Sequence, residues 1–353
     1  MKLLKHYKPR LLWLLASVAA LLISSPQPWL YAQKSRDETL NVTRWQHTDD
    51  DWKRSLEIRG KAEFNDDYTD VVSVTEGGFV IVEEQRARQS HRYEVRRDLG
   101  GQLTRVYYVN GAAQAMDDAA KKWLAQLVLD AVRQGGLDTE KRVSRILAQR
   151  GVPGVLAEID QIKGDWAKRR YYETLVKQSD LDANALRDVL RRVAGAISSD
   201  YEQAQLLMGI APMLTGKEAA IQPFFDAVAT IKSDYEHGRV LKSVLKQESS
   251  SSAVLVLTAG STKTMSSDYE RRGVLSALVK TKNQSEEVLR LLLDSAAAMS
   301  SDYEKATLLV EVSNVYTGDT RLRSAFLKVV ESIKSDYERG RVLSALLKNK
   351  QIG

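Results

Sequence analysis

Ser199-Asp200-Tyr201-Glu202 returns as Ser233-Asp234-Tyr235-Glu236, Ser267-Asp268-Tyr269-Glu270, Ser301-Asp302-Tyr303-Glu304 and Ser335-Asp336-Tyr337-Glu338. Each copy lies 34 residues after the last. A constant period of this size marks supersecondary units that stack because none can bury its own apolar face alone. The motif therefore decides the architecture of the C-terminal half before any other feature is read.

Within a unit the motif reads as a helix start. Serine followed three residues later by glutamate forms a capping box, in which the serine oxygen takes a first-turn amide and the glutamate reaches back to the cap's own N–H. The aspartate between them suits the positive end of the helix dipole. Counting from each tyrosine, positions +5, +6 and +9 are apolar, as in Val240, Leu241 and Val244 or Leu308, Leu309 and Val312. Those offsets share one helix face. A polar turn and a second helix follow, clearest where Ser285-Glu286-Glu287 leads into Val288, Leu289, Leu292 and Leu293. Thr215-Gly216-Lys217-Glu218 reads as the matching capping box of the first unit.

Weaker copies precede the series. Gly164-Asp165-Trp166 places a tryptophan in the tyrosine slot at a spacing of 35, and Asp138-Thr139-Glu140 opens a shorter unit. The expected form over 137–353 is an α-solenoid of 34-residue helical hairpins, HEAT- or tetratricopeptide-like in build. The landmark Trp, Leu-Gly-Tyr and Pro residues of tetratricopeptide repeats are missing. A residue repeated at every stacking position is what a stack requires, so the tyrosines are expected to wedge between hairpins with their hydroxyls on water or backbone. The row Asp200, Asp234, Asp268, Asp302 and Asp336 could be read as a cation ladder, but helix starts account for it.

Upstream, residues 50–136 read as a small β-rich domain with a C-terminal helix. Leu56, Ile58, Gly60, Ala62 and Phe64 alternate with polar residues, the period of a strand buried on one face. Strands at 71–74 and 79–82 flank Glu76-Gly77-Gly78, a hairpin signal, and strands at 93–96 and 103–109 flank Asp98-Leu99-Gly100-Gly101. These predict a five-stranded antiparallel meander. Residues 86–91 are expected as a basic loop. Asp117 and Asp118 open a helix whose apolar face is Trp123, Leu124, Leu127, Val128, Ala131 and Val132, and Gly135-Gly136 stops it. The fold class expected for the chain is α+β.

The net charge of +6 is not a nucleic-acid signature, because Lys2, Lys5, Lys8 and Arg10 hold +4 of it and leave +2 for everything after residue 32. A nucleic-acid binder gathers its basic residues into a patch or stripe. The first 32 residues instead run from a basic start through the apolar stretch 11–23 to Leu30-Tyr31-Ala32, the order of a secretory signal. An uncleaved membrane anchor is the other reading, and membrane contact is expected only through this segment. Residues 33–49 read as a linker. Cysteine is absent, which excludes disulfides, thiolate metal sites and a lipidated cysteine.

The run from Leu56 through the SDYE series is similar to a known type of region. Gly77-Gly78-Phe79, Tyr107-Tyr108-Val109-Asn110-Gly111, Leu156-Ala157-Glu158-Ile159 and the SDYE motifs carry the likeness. It resembles an extracytoplasmic region of some bacterial envelope proteins, sometimes placed behind the membrane metallopeptidase of β-lactam-sensor-type proteins. The resemblance implies a bacterial periplasmic setting. It carries over no catalytic residue, since His6, His47, His91 and His237 are the only histidines and none forms an HExxH pair.

The functional expectation is an exported, non-catalytic scaffold that binds protein or peptide partners, without a cofactor, in envelope sensing or assembly. Positions that vary between units can make a solenoid specific, and those at tyrosine +3 and +4 nominate Gln205, Arg239, Arg272, Thr307 and Arg341. The alternative is an enzyme with its site in the β domain or at its junction with the repeats, built from Glu83, Glu84, His91 and Tyr107. No G-x-S-x-G elbow is present. Gly209 and Gly216-Lys217 stand six residues apart where a phosphate loop has four, with Glu218 in place of Ser or Thr.

Overall fold

The computed structural model describes residues 41–247, 251–281, 285–315 and 320–349. The stretch 1–32, read as a leader, and residues 33–40 of the expected linker lie outside these. The chain divides into two compact units, Met1–Ala131 and Val132–Gly353, so the division falls inside a helix.

The first unit is antiparallel β followed by that helix. Its strands are β1 (Val42–Asp49), β2 (Trp52–Arg59), β3 (Ala62–Phe64), β4 (Val71–Val74), β5 (Phe79–Arg86), β6 (Gln89–Arg97), β7 (Leu103–Val109) and β8 (Ala112–Gln114), and the helix is α1 (Asp118–Gln134). The main sheet has the order β1-β2-β5-β6-β7-β8, while β3 and β4 pair with each other in a separate two-stranded sheet.

The expected five-stranded meander is replaced by this six-stranded sheet with its two-stranded excursion, and three local expectations are corrected with it. Residues 42–49, read as linker, form strand β1, which pairs with β2 along its whole length. The turn at Glu76-Gly77-Gly78 does not join a hairpin, because β5 pairs with β2 and β4 pairs with β3. The segment 86–91 is mostly strand: Arg86 faces Gln89 across a two-residue turn in which Ala87 takes a φ of 50°. The Asp98–Gly101 hairpin is present as read. Gly101 has a φ of 81°, and Asp98 Oδ1 accepts from the amides of Gly100 and Gln102 at 2.9 and 2.8 Å.

Alternation then sorts the main sheet into two faces. Trp45, Leu56, Val82, Tyr93 and Tyr107 are successive cross-strand partners, and all five are buried. The opposite face carries charge: Arg44 pairs with Glu57 at 3.1 Å, and Arg92 pairs with Glu83 at 2.7 Å and Glu94 at 2.8 Å. On the buried face lies α1, capped by Asp117 Oδ1 accepting from the Ala120 amide at 2.7 Å. Its Leu124, Leu127 and Val128 are fully buried, and Arg54 reaches its Asp130 at 3.1 Å.

In the second unit the helices are α2 (Thr139–Ile159), α3 (Asp165–Gln178), α4 (Ala183–Ala196), α5 (Asp200–Ile210), α6 (Glu218–Val228), α7 (Asp234–Leu245), α8 (Ser252–Ser261), α9 (Asp268–Val279), α10 (Glu286–Ala297), α11 (Asp302–Ser313), α12 (Thr320–Glu331) and α13 (Asp336–Lys348). Gly151, at a φ of 61°, breaks α2 two residues before Pro153. Helices α3, α5, α7, α9, α11 and α13 each contact the next of that set, and α4, α6, α8, α10 and α12 do likewise. Two rows of helices result. Val240, Leu241, Val244, Val274, Leu275, Leu278, Leu308, Leu309 and Val312 are buried as the +5, +6, +9 pattern predicts, but Leu343 is 38% exposed. A fully buried residue of this kind contributes about 1.5–3 kcal/mol by burial alone. Among the described residues no helix is long and apolar enough to cross a membrane.

Near the start of this unit a charge is buried. Glu158 is 4% exposed and accepts from Arg133 at 2.6 Å and from Arg142 at 2.6 Å. Burial pushes its carboxyl pKa up, but the two guanidinium groups outweigh that and hold it below the ordinary carboxylate value.

Candidate functional site: the repeated helix starts

Each Ser-Asp-Tyr-Glu sits at the first turn of one helix of the first row. The serine caps as expected: Oγ of Ser199, Ser233, Ser267, Ser301 and Ser335 accepts from the amide of the glutamate three residues on, at 3.3–3.4 Å. The rest of the capping box is different. The serine's own amide goes to the aspartate of the preceding unit, not to the glutamate.

Asp234 Oδ2 accepts from the amides of Ser266 and Ser267 at 2.8 and 2.6 Å. Asp268 accepts from the Ser300 and Ser301 amides, both at 2.7 Å, and from the Ser300 hydroxyl at 2.8 Å. Asp200 takes the amides of Lys232 and Ser233, and Asp302 those of Lys334 and Ser335. The weak copy behaves the same way, with Asp165 taking the amides of Ser198 and Ser199. The aspartate row is thus a set of identical staples between successive units. Charge-assisted bonds of this type are about twice as strong as neutral ones. Burial pushes the Asp268 carboxyl up, and its bonds to Ser300 and Ser301 more than reverse that, leaving the pKa lowered.

Released from the box, the glutamates hold cations. Glu202 pairs with Arg169, Glu304 with Arg272 and Glu270 with Lys242, each from the preceding unit. Glu236 and Glu338 pair with Arg239 and Arg341 of their own helices.

Only the tyrosines are left outside this network, and the expectation that they wedge between hairpins is overturned. Tyr201, Tyr235, Tyr269, Tyr303 and Tyr337 are 53, 58, 63, 57 and 75% exposed. The stack is already closed by the apolar rows and the aspartate staples, so the phenol rings have no wedge to fill. Guanidinium groups flank three of them: Arg239 lies 5.8 Å from the Tyr235 ring, Arg272 5.4 Å from Tyr269 and Arg341 5.6 Å from Tyr303. These are cation–π distances. Each arginine also pairs with a glutamate, Glu236, Glu304 or Glu338, which keeps its guanidinium beside the ring. Trp166, in the tyrosine slot of the weak copy, is 36% exposed and presses on Gly136, where an added Cβ would meet its ring at 2.8 Å.

Of the five nominated residues, Arg239, Arg272 and Arg341 are therefore brought onto the tyrosines. Gln205 is half-buried at the equivalent place in α5. Thr307 does not join them, because its hydroxyl is buried under the helix surface. The capping box read at Thr215–Glu218 is also absent: Lys217 occupies the N-cap without a side-chain bond, and its Nζ goes to the Leu181 carbonyl. A further row escaped the sequence reading. Lys246, Lys280 and Lys348 are exposed at tyrosine +11, with Asn314 in the same slot of its unit. Their signal was the recurrence of lysine at a fixed offset from the motif.

Of the four residues of the enzyme reading, Glu84, His91 and Tyr107 lie together on the buried face of the sheet, with Glu84 directly across from His91, while Glu83 is turned to the charged face. Glu84 is paired with Arg54, and His91 Nδ1 is 2.6 Å from the Tyr107 hydroxyl. Trp123 lies nearby in tilted contact with both, its ring 5.4 Å from His91 and 5.7 Å from Tyr107. Burial, with Asp117 second, pushes the Tyr107 phenol up, away from ionisation at neutral pH.

No protein-family model, curated protein or solved structure matches the chain.

Proposed function

We infer that this chain is an exported scaffold whose helical units form an α-solenoid of 34-residue hairpins and bind protein or peptide partners on the tyrosine-bearing face. The envelope, for sensing or assembly, is the proposed setting. It rests on the leader-like order of residues 1–32 and the resemblance to extracytoplasmic regions of bacterial envelope proteins. One observation carries the binding reading: five aromatic side chains at equivalent positions stand more than half exposed. Aromatic residues and arginine are the types most enriched where interfaces concentrate their energy. An aromatic row kept in solvent at all five motifs, and flanked by arginine at three of them, is accounted for by what it meets outside the chain.

The experiment is site-specific photo-crosslinking in the native envelope. A photoreactive residue replaces Tyr235, Tyr269 or Tyr303 in turn, and Glu287, exposed at the start of α10, serves as the comparison position. Discrete protein adducts are expected from the three tyrosine positions and none from Glu287. Equal labelling from all four positions removes the reading.

A further inference from the structure

We propose that the tyrosine face receives an extended acidic peptide in the polyproline II conformation, with proline at every third residue. This rests on the protein-binding reading above and names its ligand class.

Spacing selects the conformation. The rings occur once per helix along α5, α7, α9, α11 and α13, each of which contacts the next. Packed helices stand about 8–10 Å apart. A polyproline II helix has three residues per turn and rises about 3.1 Å per residue, so one of its faces repeats every ~9.3 Å. A β-strand presents the same face every ~6.6 Å, set by its 3.3 Å rise and two-residue period. An α-helix repeats every ~5.4 Å. Only the first matches one contact per helix over several units. Prolines dock on aromatic-lined surfaces because the helix is already formed and little entropy is lost. The arginines at 5.4–5.8 Å brace Tyr235, Tyr269 and Tyr303 on the protein side, which extends the same advantage to the receptor.

Charge selects the residues between the prolines. The motif's carboxylates are engaged: Asp200, Asp234, Asp268 and Asp302 accept backbone amides, and the five glutamates are paired with cations. Asp336 is paired with Arg339 at 3.4 Å. Lys246, Lys280 and Lys348 remain exposed eleven residues beyond their tyrosines. That places them about 16 Å along each helix at 1.5 Å per residue. The aromatic rail is thus accompanied on the same face by a lysine at three of its five units, with Pro212 and Asn314 in the other two slots. Between them α9 offers Gly273 and Ala277 and α13 offers Ser344 and Ala345, whereas α7 places Arg239 and Lys242 there and α11 Val310 and Glu311. A cleft of about 680 Å³ opens there on α11 and α13, lined by Tyr337, Lys348, Val310 and Ser344 and also by Arg341 and Asp336, the last paired with Arg339.

The test measures fluorescence anisotropy of labelled peptides on the purified full chain. Six repeats of Pro-Pro-Glu should bind. Six repeats of Pro-Pro-Lys, and a Pro/Glu peptide of equal composition without the three-residue period, should each bind at least tenfold more weakly. The triple variant Y235A/Y269A/Y303A should lose at least tenfold in affinity at an unchanged melting temperature, and the triple Phe variant should stay within twofold. K246E/K280E should lower affinity for the acidic peptide and raise it for the basic one. Equal binding of the aperiodic peptide, or full binding by the alanine variant, overturns the proposal. If proline-free extended peptides bind and the Pro-Pro-Glu series does not, the ligand class falls while the scaffold reading stands. Binding of a β-1,4-linked amino-sugar oligomer in place of every peptide removes both.

Discussion

In the sheet Leu56 meets Val82 across strands that are not neighbours in sequence, whereas in the helices Asp234 meets Ser267 and Asp268 meets Ser301, always one unit apart. The first contact occurs once. The second recurs at each step with the same atoms. The difference teaches where stability is written in each part. The sheet depends on apolar rows assembled across strands distant in sequence, one through Leu56 and Val82 and another through Ile58, Val80 and Val95. The helices depend on a repeated link between neighbours. In an array of repeated units, stability is approximately a sum of such nearest-neighbour terms.

The largest expected effect falls on a buried charge cluster at the start of the helices that has no counterpart in the repeated motif. Glu158→Ala leaves Arg133 and Arg142 in a buried site without their carboxylate and should cost about 3–5 kcal/mol in urea unfolding. A loss below 1 kcal/mol would show that the triad is solvated in the native state. Its folded pKa is lowered, so this stabilisation is complete above the unfolded value near ~4.3 and is lost as pH falls through the folded value.

Next comes the sheet. Leu56→Ala opens a cavity in the centre of its apolar row and should cost about 3 kcal/mol. Asp268→Ala removes the acceptor of two amides and should cost about 2 kcal/mol. Asp336 carries the same position in its motif but stands 96% exposed, and Asp336→Ala should stay within about 0.5 kcal/mol. Equal losses at Asp268 and Asp336 would return the aspartates to a helix-dipole role and erase the contrast between the two parts of the molecule.

His237 tests a buried link inside the repeats. It is 3% exposed, and its Nε2 lies 2.8 Å from Ser261 Oγ. Burial lowers its pKa, with Asp234 opposing, so protonation favours the unfolded chain. Stability should therefore fall as pH drops below the unfolded value near ~6.5, and His237→Gln should flatten the pH 7 to 5 segment of the profile. A slope unchanged in the variant places the titrating group elsewhere. The smallest effect is expected at the rail: Tyr269→Ala and Tyr269→Phe should both melt within about 0.5 kcal/mol of the parent. A clear loss for alanine alone would restore the tyrosine to the stack.

The legible parts are those whose contacts repeat or stay local. The serine caps, the apolar positions at +5, +6 and +9, the Asp117 cap and the Asp98–Gly101 hairpin need only a few consecutive residues, and all were read from them. The pairing of β2 with β5 was not, because Gly77-Gly78 looks like any hairpin turn and nothing local reports the β3–β4 excursion. Of the candidate site, three arginines were found by their variation, and the lysine row was missed.

By itself, then, the sequence determined the period, the helix starts and the buried stripe, since those follow from hydrogen bonding and burial within one short segment. Which member of Ser-Asp-Tyr-Glu faces inward was decided only by the tertiary structure. A carboxylate and a phenol both suit a helix start, and the choice between them rests on where the next unit's amides lie. Those amides reach the aspartate, the apolar rows fill the remaining space, and the tyrosine is left on the surface.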